Sequence, residues 1–260
     1  MTAPAEKPPV AIRPATTLLL LRDGAAGLEV LMVTRNVASE FASGALVFPG
    51  GRVDEADHEA VTHRCCREVA GVDAAGLALR VAGIRETFEE AGILLARPAG
   101  GNDLLSAGQM AAFAGQDFAA IVGGGAVELA TDLLVPFAHW ITPAGQPKRY
   151  DTHFYLAPMP PAQTAAHDGH EAVDTTWITP AEAIAGGETG RYTVVFATRL
   201  NLQKLGRSAD MATALATARR EKIVTVAPEV LQGPNGRIMR IPIEAGYGVS
   251  EVDAQNIPRA

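Results

Sequence analysis

The sequence predicts an α/β fold in which a mixed sheet lies between helices. Three observations predict it. Two apolar runs, residues 15–21 and 28–34, flank Arg22-Asp23-Gly24 and read as paired antiparallel strands. The stretch 74–91 has helical periodicity, with Leu77, Val81, Ile84 and Phe88 in one apolar stripe. A strand-like run at 171–178 is followed by Thr179-Pro180-Ala181-Glu182, which opens a further helix with Thr179 as its cap. Strands and helices that alternate in this way bury their apolar faces by layering helices on a sheet.

Residues 1–13, rich in Pro and Ala, form a flexible tail in this reading. After the first two strands, residues 45–48 make a short third one. The helix over 74–91 stops at Gly92, a residue suited to a left-handed C-cap. Residues 99–131 are rich in Gly and Ala, carry helical stretches at 107–114 and 118–121, and are broken at Gly123-Gly124-Gly125. A segment that long is not a plain loop. It is an inserted helical element, either a lid or a structural flap. Residues 137–142 and 149–157 are strands about a turn containing Pro143 and Pro147, and Pro158 and Pro161 end them. Residues 194–205 and 209–220 are amphipathic helices. Residues 224–231 and 237–243 form a hairpin about Gly233-Pro234-Asn235-Gly236.

Of 260 residues, 48% are hydrophobic, enough for a substantial core, and the net charge is −7. That balance argues against a general nucleic-acid surface; the longest basic run is Arg219-Arg220. The apolar residues 17–21 are too few to span a bilayer, so no membrane partner is expected. The two cysteines, Cys65 and Cys66, are neighbours and cannot build a disulfide framework. With no apolar signal core near Met1 and no Ser-Lys-Leu ending, a cytoplasmic location is expected.

The chemistry concentrates in Arg85-Glu86-Thr87-Phe88-Glu89-Glu90-Ala91-Gly92-Ile93. Glu86, Glu89 and Glu90 share one helix face, opposite the apolar stripe and beside the small Ala78 and Ala82. Like charges so close repel by about 0.2–0.5 kcal/mol per pair on an exposed helix. A hard cation reverses that sign, and oxygen donors in this number suit Mg²⁺ or Mn²⁺. A solvated acidic face is the plainer alternative. Upstream, Phe48-Pro49-Gly50-Gly51 closes an apolar run, and paired glycines allow close backbone approach.

Together these segments resemble the signature of the Nudix hydrolases, GX5EX7REUXEEXGU, where U is bulky and apolar. Arg85, Glu86, Glu89, Glu90, Gly92 and Ile93 match its second half, with Thr87 at a bulky position. Strict spacing would select Gly71 and Leu77, which lacks the acid. The Phe-Pro-Gly-Gly lead-in selects Gly51, which makes Asp57 the first acidic residue and leaves an insertion at about 58–77. The resemblance implies a Nudix-type α/β/α sandwich with a mixed sheet and helical insertions. It places the domain at 14–190, with insertions at about 58–77 and 99–131, and leaves 191–260 as C-terminal helices and a hairpin packed on the core.

The family's chemistry is metal-dependent hydrolysis of a pyrophosphate bond in a nucleoside diphosphate linked to another moiety. The resemblance thus implies a nucleotide-type small-molecule substrate, Mg²⁺ or Mn²⁺ on Glu86, Glu89, Glu90 and the Gly51 carbonyl, and a homodimer. Arg85 would orient a glutamate, or else form only a salt bridge with Glu89. The general base is a box glutamate or an acid from a later loop, where Glu171 is the candidate, with Asp168 and His170 behind it. The segments Trp140–Pro143, Lys148–Phe154 and Glu171–Trp177 are similar to the subgroup containing the peroxisomal coenzyme A diphosphatase, which suggests coenzyme A or acyl-CoA. The arginine that a related coenzyme A-cleaving branch carries before its box is Glu40 here. Arg35, Lys148 or Arg149 could take its place, Gly50 and Gly51 would approach the substrate, and Trp140 or Tyr150 could stack on a base. Because the box is interrupted, a Nudix-fold nucleotide-binding or regulatory protein without hydrolysis is the alternative.

Overall fold

The computed structural model describes residues 10–36, 44–161, 163–166, 172–234 and 236–253. In chain order its elements are β1 (Ile12–Gly24), β2 (Gly27–Arg35), β3 (Leu46–Val47), β4 (Gly50–Arg52), α1 (Ala60–Arg64), α2 (Ala74–Ala91), β5 (Ala96–Pro98), α3 (Ala107–Met110), α4 (Phe118–Gly123) and β6 (Val127–Leu129). There follow β7 (Val135–Ile141), β8 (Arg149–Pro158), β9 (Ala172–Ile178), α5 (Pro180–Glu188), α6 (Phe196–Leu205), α7 (Met211–Ala218), β10 (Thr225–Val226), β11 (Glu229–Gly233), β12 (Gly236–Arg240) and β13 (Glu251–Asp253). None of the described helices is long and apolar enough to cross a membrane.

The main sheet runs β10-β7-β8-β1-β2-β3, with β4 also beside β1 and β9 also beside β2. It is mixed: β1–β8 and β7–β10 are parallel and the other pairings antiparallel. The central strand explains the layering. Leu18 and Leu20 of β1 join the core under α2, while Leu19 and Leu21 join the core under α5, α6 and α7. All four are fully buried. A strand covered on both faces reads as an unbroken apolar run rather than an alternation.

The turn expected at 22–24 is strand instead. Arg22 pairs with Glu29 across the ladder, their side chains 2.7 Å apart, and the chain reverses at Ala25-Ala26 ahead of Gly27, whose φ is +110°. The expected tail also yields Ile12 and Arg13 to β1; residues 1–9 lie outside those described. β4 was not expected from the sequence, because a Gly-Gly-Arg strand has no apolar signal. The hairpin expected over 224–243 divides differently. Thr225 and Val226 join β7 in the main sheet, while β11 and β12 form the hairpin between Gly233 and Gly236, and β13 adds to β12 to make a separate small sheet.

Helix α2 begins at Asp73, whose side chain accepts from the Gly76 N–H, and ends at Gly92 in the left-handed region. Val81 and Ile84 are fully buried, but Leu77 and Phe88 are only half covered. Phe88 instead meets Phe118 of α4, ring centroids 6.4 Å apart. The residue set against the sheet is Gly83, where an added Cβ would lie 3.3 Å from Thr16 Oγ1 of β1. Thr87 stays buried by donating to Gly83 O at 2.7 Å.

The two insertions hold each other. Arg67 N donates to Leu129 O, Thr131 Oγ1 donates to Arg67 O, and Arg67 is ion-paired with Glu128. Phe118, Ile121 and Val122 of α4 are buried in the core shared with α2. Of the two readings for 99–131, this packing supports the flap.

Candidate active site

The glycine pair sets the geometry. Gly50 and Gly51 face Thr17 and Thr16 of β1. A Cβ on Gly50 would lie 2.4 Å from Thr16 O and 2.7 Å from Thr17 Cα, so no larger residue fits without moving backbone. A Cβ on Gly51 would lie 2.4–2.6 Å from the Glu86 carboxylate. The glycines therefore let the acidic face of α2 press directly on the strand. Gly51→Ala should displace Glu86 and lower turnover at least tenfold while the melting temperature barely moves; steady-state kinetics beside thermal unfolding will test this.

Glu90 is 3% exposed. Its Oε2 accepts the Gly50 N–H at 2.9 Å, and Arg35 Nη1 stands 3.8 Å from its Oε1. Arg35 thus comes to the site, and its buried Nε finds no hydrogen-bond partner among the described residues.

Arg85 is the hub. Its Nε and Nη2 donate to the two oxygens of Asp57, each at 3.0 Å, in a bidentate pair. Its Nη1 donates to Glu86 Oε1 and Glu89 Oε2, both at 2.9 Å, and Nη2 also reaches Arg52 O. Burial alone would lower the Arg85 pKa; the hydrogen-bonded Asp57, with Glu86 and Glu89 close by, overrides this and raises it. Asp57 is itself 1% exposed and held by the Asp54 N–H. The acid before the insertion and the arginine after it are direct partners, a link that spacing alone did not reveal.

A sequence profile of the NUDT19 Nudix domain matches residues 64–190. The chain is 30% identical over 215 residues to a chicken protein named acyl-coenzyme A diphosphatase NUDT19, covering 62% of this chain and 56% of that one. Nudix hydrolase 7 of Caenorhabditis elegans is 28% identical over 169 residues, covering 63% and 51%. A crystal structure of a Nudix hydrolase from Alicyclobacillus acidocaldarius superposes with a TM-score of 0.68 at 29% identity, over 80% of this chain and 96% of that one. This chain belongs to the Nudix hydrolase family. Its matches span about half the length of the curated relatives.

In this Nudix chain the donors suit a hard divalent ion. Glu86, Glu89, Glu90 and the Gly51 carbonyl offer only oxygen, and the Gly51 surface is shaped to the Glu86 carboxylate. Mg²⁺ keeps several of its waters, so the chain need not supply every ligand.

Other expected site residues sit elsewhere. Trp140 is a correction. It is 5% exposed in the core under the C-terminal helices, on the sheet face away from α2. It stands edge-on to Phe196, and its Nε1 donates to the Tyr247 hydroxyl at 2.8 Å. The ladder shifts between Pro136 and Ala138, so Phe137 and Ala138 both face this core and Trp140 follows Ala138. Trp140→Phe should cost about 1–2 kcal/mol in unfolding free energy by leaving Tyr247 without its donor, and leave KM unchanged. Arg149 lies at the start of β8, opposite Ile12, with Nε donating to Thr142 O. Glu171, Asp168, His170 and Glu40 lie outside the described residues.

Proposed function

We propose that this chain is a diphosphatase that hydrolyses the pyrophosphate link of a nucleoside diphosphate joined to another moiety, with coenzyme A or an acyl-CoA as the substrate class. The observation that carries the reading is the setting of Glu90, clamped by the Gly50 N–H and Arg35 beside an Arg85 that holds Glu86 and Glu89. The name of the chicken relative supports the substrate class.

Glu86, Glu89, Glu90 and the Gly51 carbonyl would hold Mg²⁺ or Mn²⁺. When bound, such ions neutralise phosphate charge and make a coordinated water more acidic. The chain's own groups do the rest. Arg85 keeps two carboxylates turned to the site, and its pairing with Asp57 keeps Arg85 from swinging toward the substrate's phosphates. Arg35 presents a guanidinium with an unsatisfied nitrogen, which a phosphate oxygen would satisfy, so it takes the place of the arginine replaced by Glu40. Water oxygen bonds to phosphorus, the bridging P–O bond breaks, and the proton passes to a carboxylate, with Glu171 the proposed acceptor. From coenzyme A the products are 3′,5′-ADP and phosphopantetheine.

The thiols fit a reducing cytoplasm. Cys65 and Cys66 are both free, and burial, then Cys65 and Glu128, push Cys66 up to about 12, leaving it protonated and inert. The test is incubation with coenzyme A, acetyl-CoA, NADH, ADP-ribose and nucleoside triphosphates in Mg²⁺ or Mn²⁺, with products identified by mass spectrometry. Phosphopantetheine supports the reading. Cleavage of another compound keeps the chemistry and moves the substrate. Binding without any product favours the regulatory alternative.

A further inference from the structure

The sheet carries a second constellation of ligating side chains. His139 of β7 and His153 of β8 are direct cross-strand partners, and Asp151 lies two residues before His153. All three therefore project from one face. On β8 the residues in phase with them, Tyr155 and Ala157, belong to the core under α2, so this is the face of the acidic helix. His139 Nε2 is hydrogen-bonded to Asp151 Oδ1, and His153 Nε2 lies 3.8 Å from that same oxygen. The two imidazole rings stack with centroids 4.1 Å apart. One ligating atom from each residue falls within a 4.8 Å span, and among the described residues this is the set of three that does so.

The far side of His139 is also built. Its Nδ1 lies 2.8 Å from Thr225 Oγ1. Thr225 belongs to β10, which runs parallel to β7 and pairs it with His139. With an ion in place of the Nε2 proton that Asp151 now accepts, the Thr225 hydroxyl would accept from Nδ1–H and hold the ring with its Nε2 lone pair toward the site. This is the outer-sphere arrangement that orients ligating histidines.

We propose that His139, Asp151 and His153 bind a divalent ion of the zinc class, at a site separate from the acidic helix. Two imidazole nitrogens and one carboxylate oxygen on one side of an ion suit Zn²⁺ and its neighbours, whereas the all-oxygen set on α2 suits Mg²⁺ or Mn²⁺. His153 and Asp151 are about a third exposed, so an ion can enter and open coordination positions can face solvent. Thr16 of β1 pairs with His153 on one side and with Gly51 on the other. At about 4.8 Å per strand, the two sites stand roughly 10 Å apart on one surface.

The experiment uses the full chain after chelator treatment, titrated with Co²⁺ and followed by its visible absorption, then displaced by Zn²⁺. A Glu86→Gln/Glu90→Gln variant removes the acidic-helix site, so the result does not depend on hydrolysis. One equivalent bound in the Glu86→Gln/Glu90→Gln variant, abolished when His153→Ala or His139→Ala is added to it, is the expected result. Thr225→Val should weaken binding about 10–100-fold. Zn²⁺ should also raise the melting temperature of the wild-type chain and leave that of His153→Ala unmoved. Should an alanine variant fail to fold, His153→Gln serves in its place. No Co²⁺ absorption in the wild-type chain, or a full equivalent retained by folded histidine variants, overturns the site.

Discussion

Glu90→Gln is expected to lower turnover about a thousandfold, equivalent to about 4 kcal/mol of barrier. The substitution keeps shape and keeps an acceptor for the Gly50 N–H, which now reaches Glu90 Oε2 at 2.9 Å. It removes the negative charge from the most buried of the three carboxylates, at a point where Arg35 already supplies a positive one. Loss of a charged oxygen donor to a hard cation is therefore felt in kcat rather than in folding. Glu89→Gln should act in the same direction. Glu89 is 45% exposed and tied to Arg85, so part of its loss falls on the orientation of that side chain. Kinetics in saturating Mn²⁺, with circular dichroism on the same samples, decide the matter. A folded Glu90→Gln chain retaining more than a tenth of wild-type activity would remove Glu90 from the metal set.

What could be read from the sequence follows the range of the interactions involved. The Gly92 cap of α2, and the clustering of Glu86, Glu89 and Glu90, depend on spacings of a few residues. Local periodicity displays them. The capping box of α5 at Thr179 and Glu182 is legible for the same reason. Register is a different kind of information. The side of the sheet that Trp140 faces depends on an irregularity near Pro136, and an aromatic on a strand gives no local sign of it. The meeting of His139 with Asp151 and His153 depends on how β7 aligns with β8, and the hold on His139 on a strand 86 residues away. The only local hint is an Asp-x-His alternation on β8. The burial of Arg80 was likewise invisible: it reaches the carbonyls of Thr131, at the end of the second insertion, and of Leu134 just before β7.

Asp57 is the sharpest case, and its removal should be the largest stability effect of any single change near the site. The sequence marks it only as an acid at the right distance from Gly51. In the fold it is 1% exposed and accepts from Nε and Nη2 of Arg85 across an insertion. Removing Asp57 strips the buried guanidinium of its bidentate carboxylate and leaves Nε without its acceptor, and breaking such a buried pair costs about 3–5 kcal/mol. Asp57→Ala should therefore lower the melting temperature by about 10 °C in a chain of this size. Two further variants separate charge from contact. Asp57→Asn keeps the shape and should lose most of the same stability. Asp57→Leu with Arg85→Met removes both charges, and should be less destabilised than the two single changes added together, because partners in one ion pair are not independent. Activity should not return with the stability, since the double variant no longer has the guanidinium that holds Glu86 and Glu89. A melting temperature for Asp57→Ala within about 2 °C of wild type would mean that Arg85 keeps its place without Asp57. The interrupted box would then be held by the remaining partners, Glu86, Glu89 and the Arg52 carbonyl.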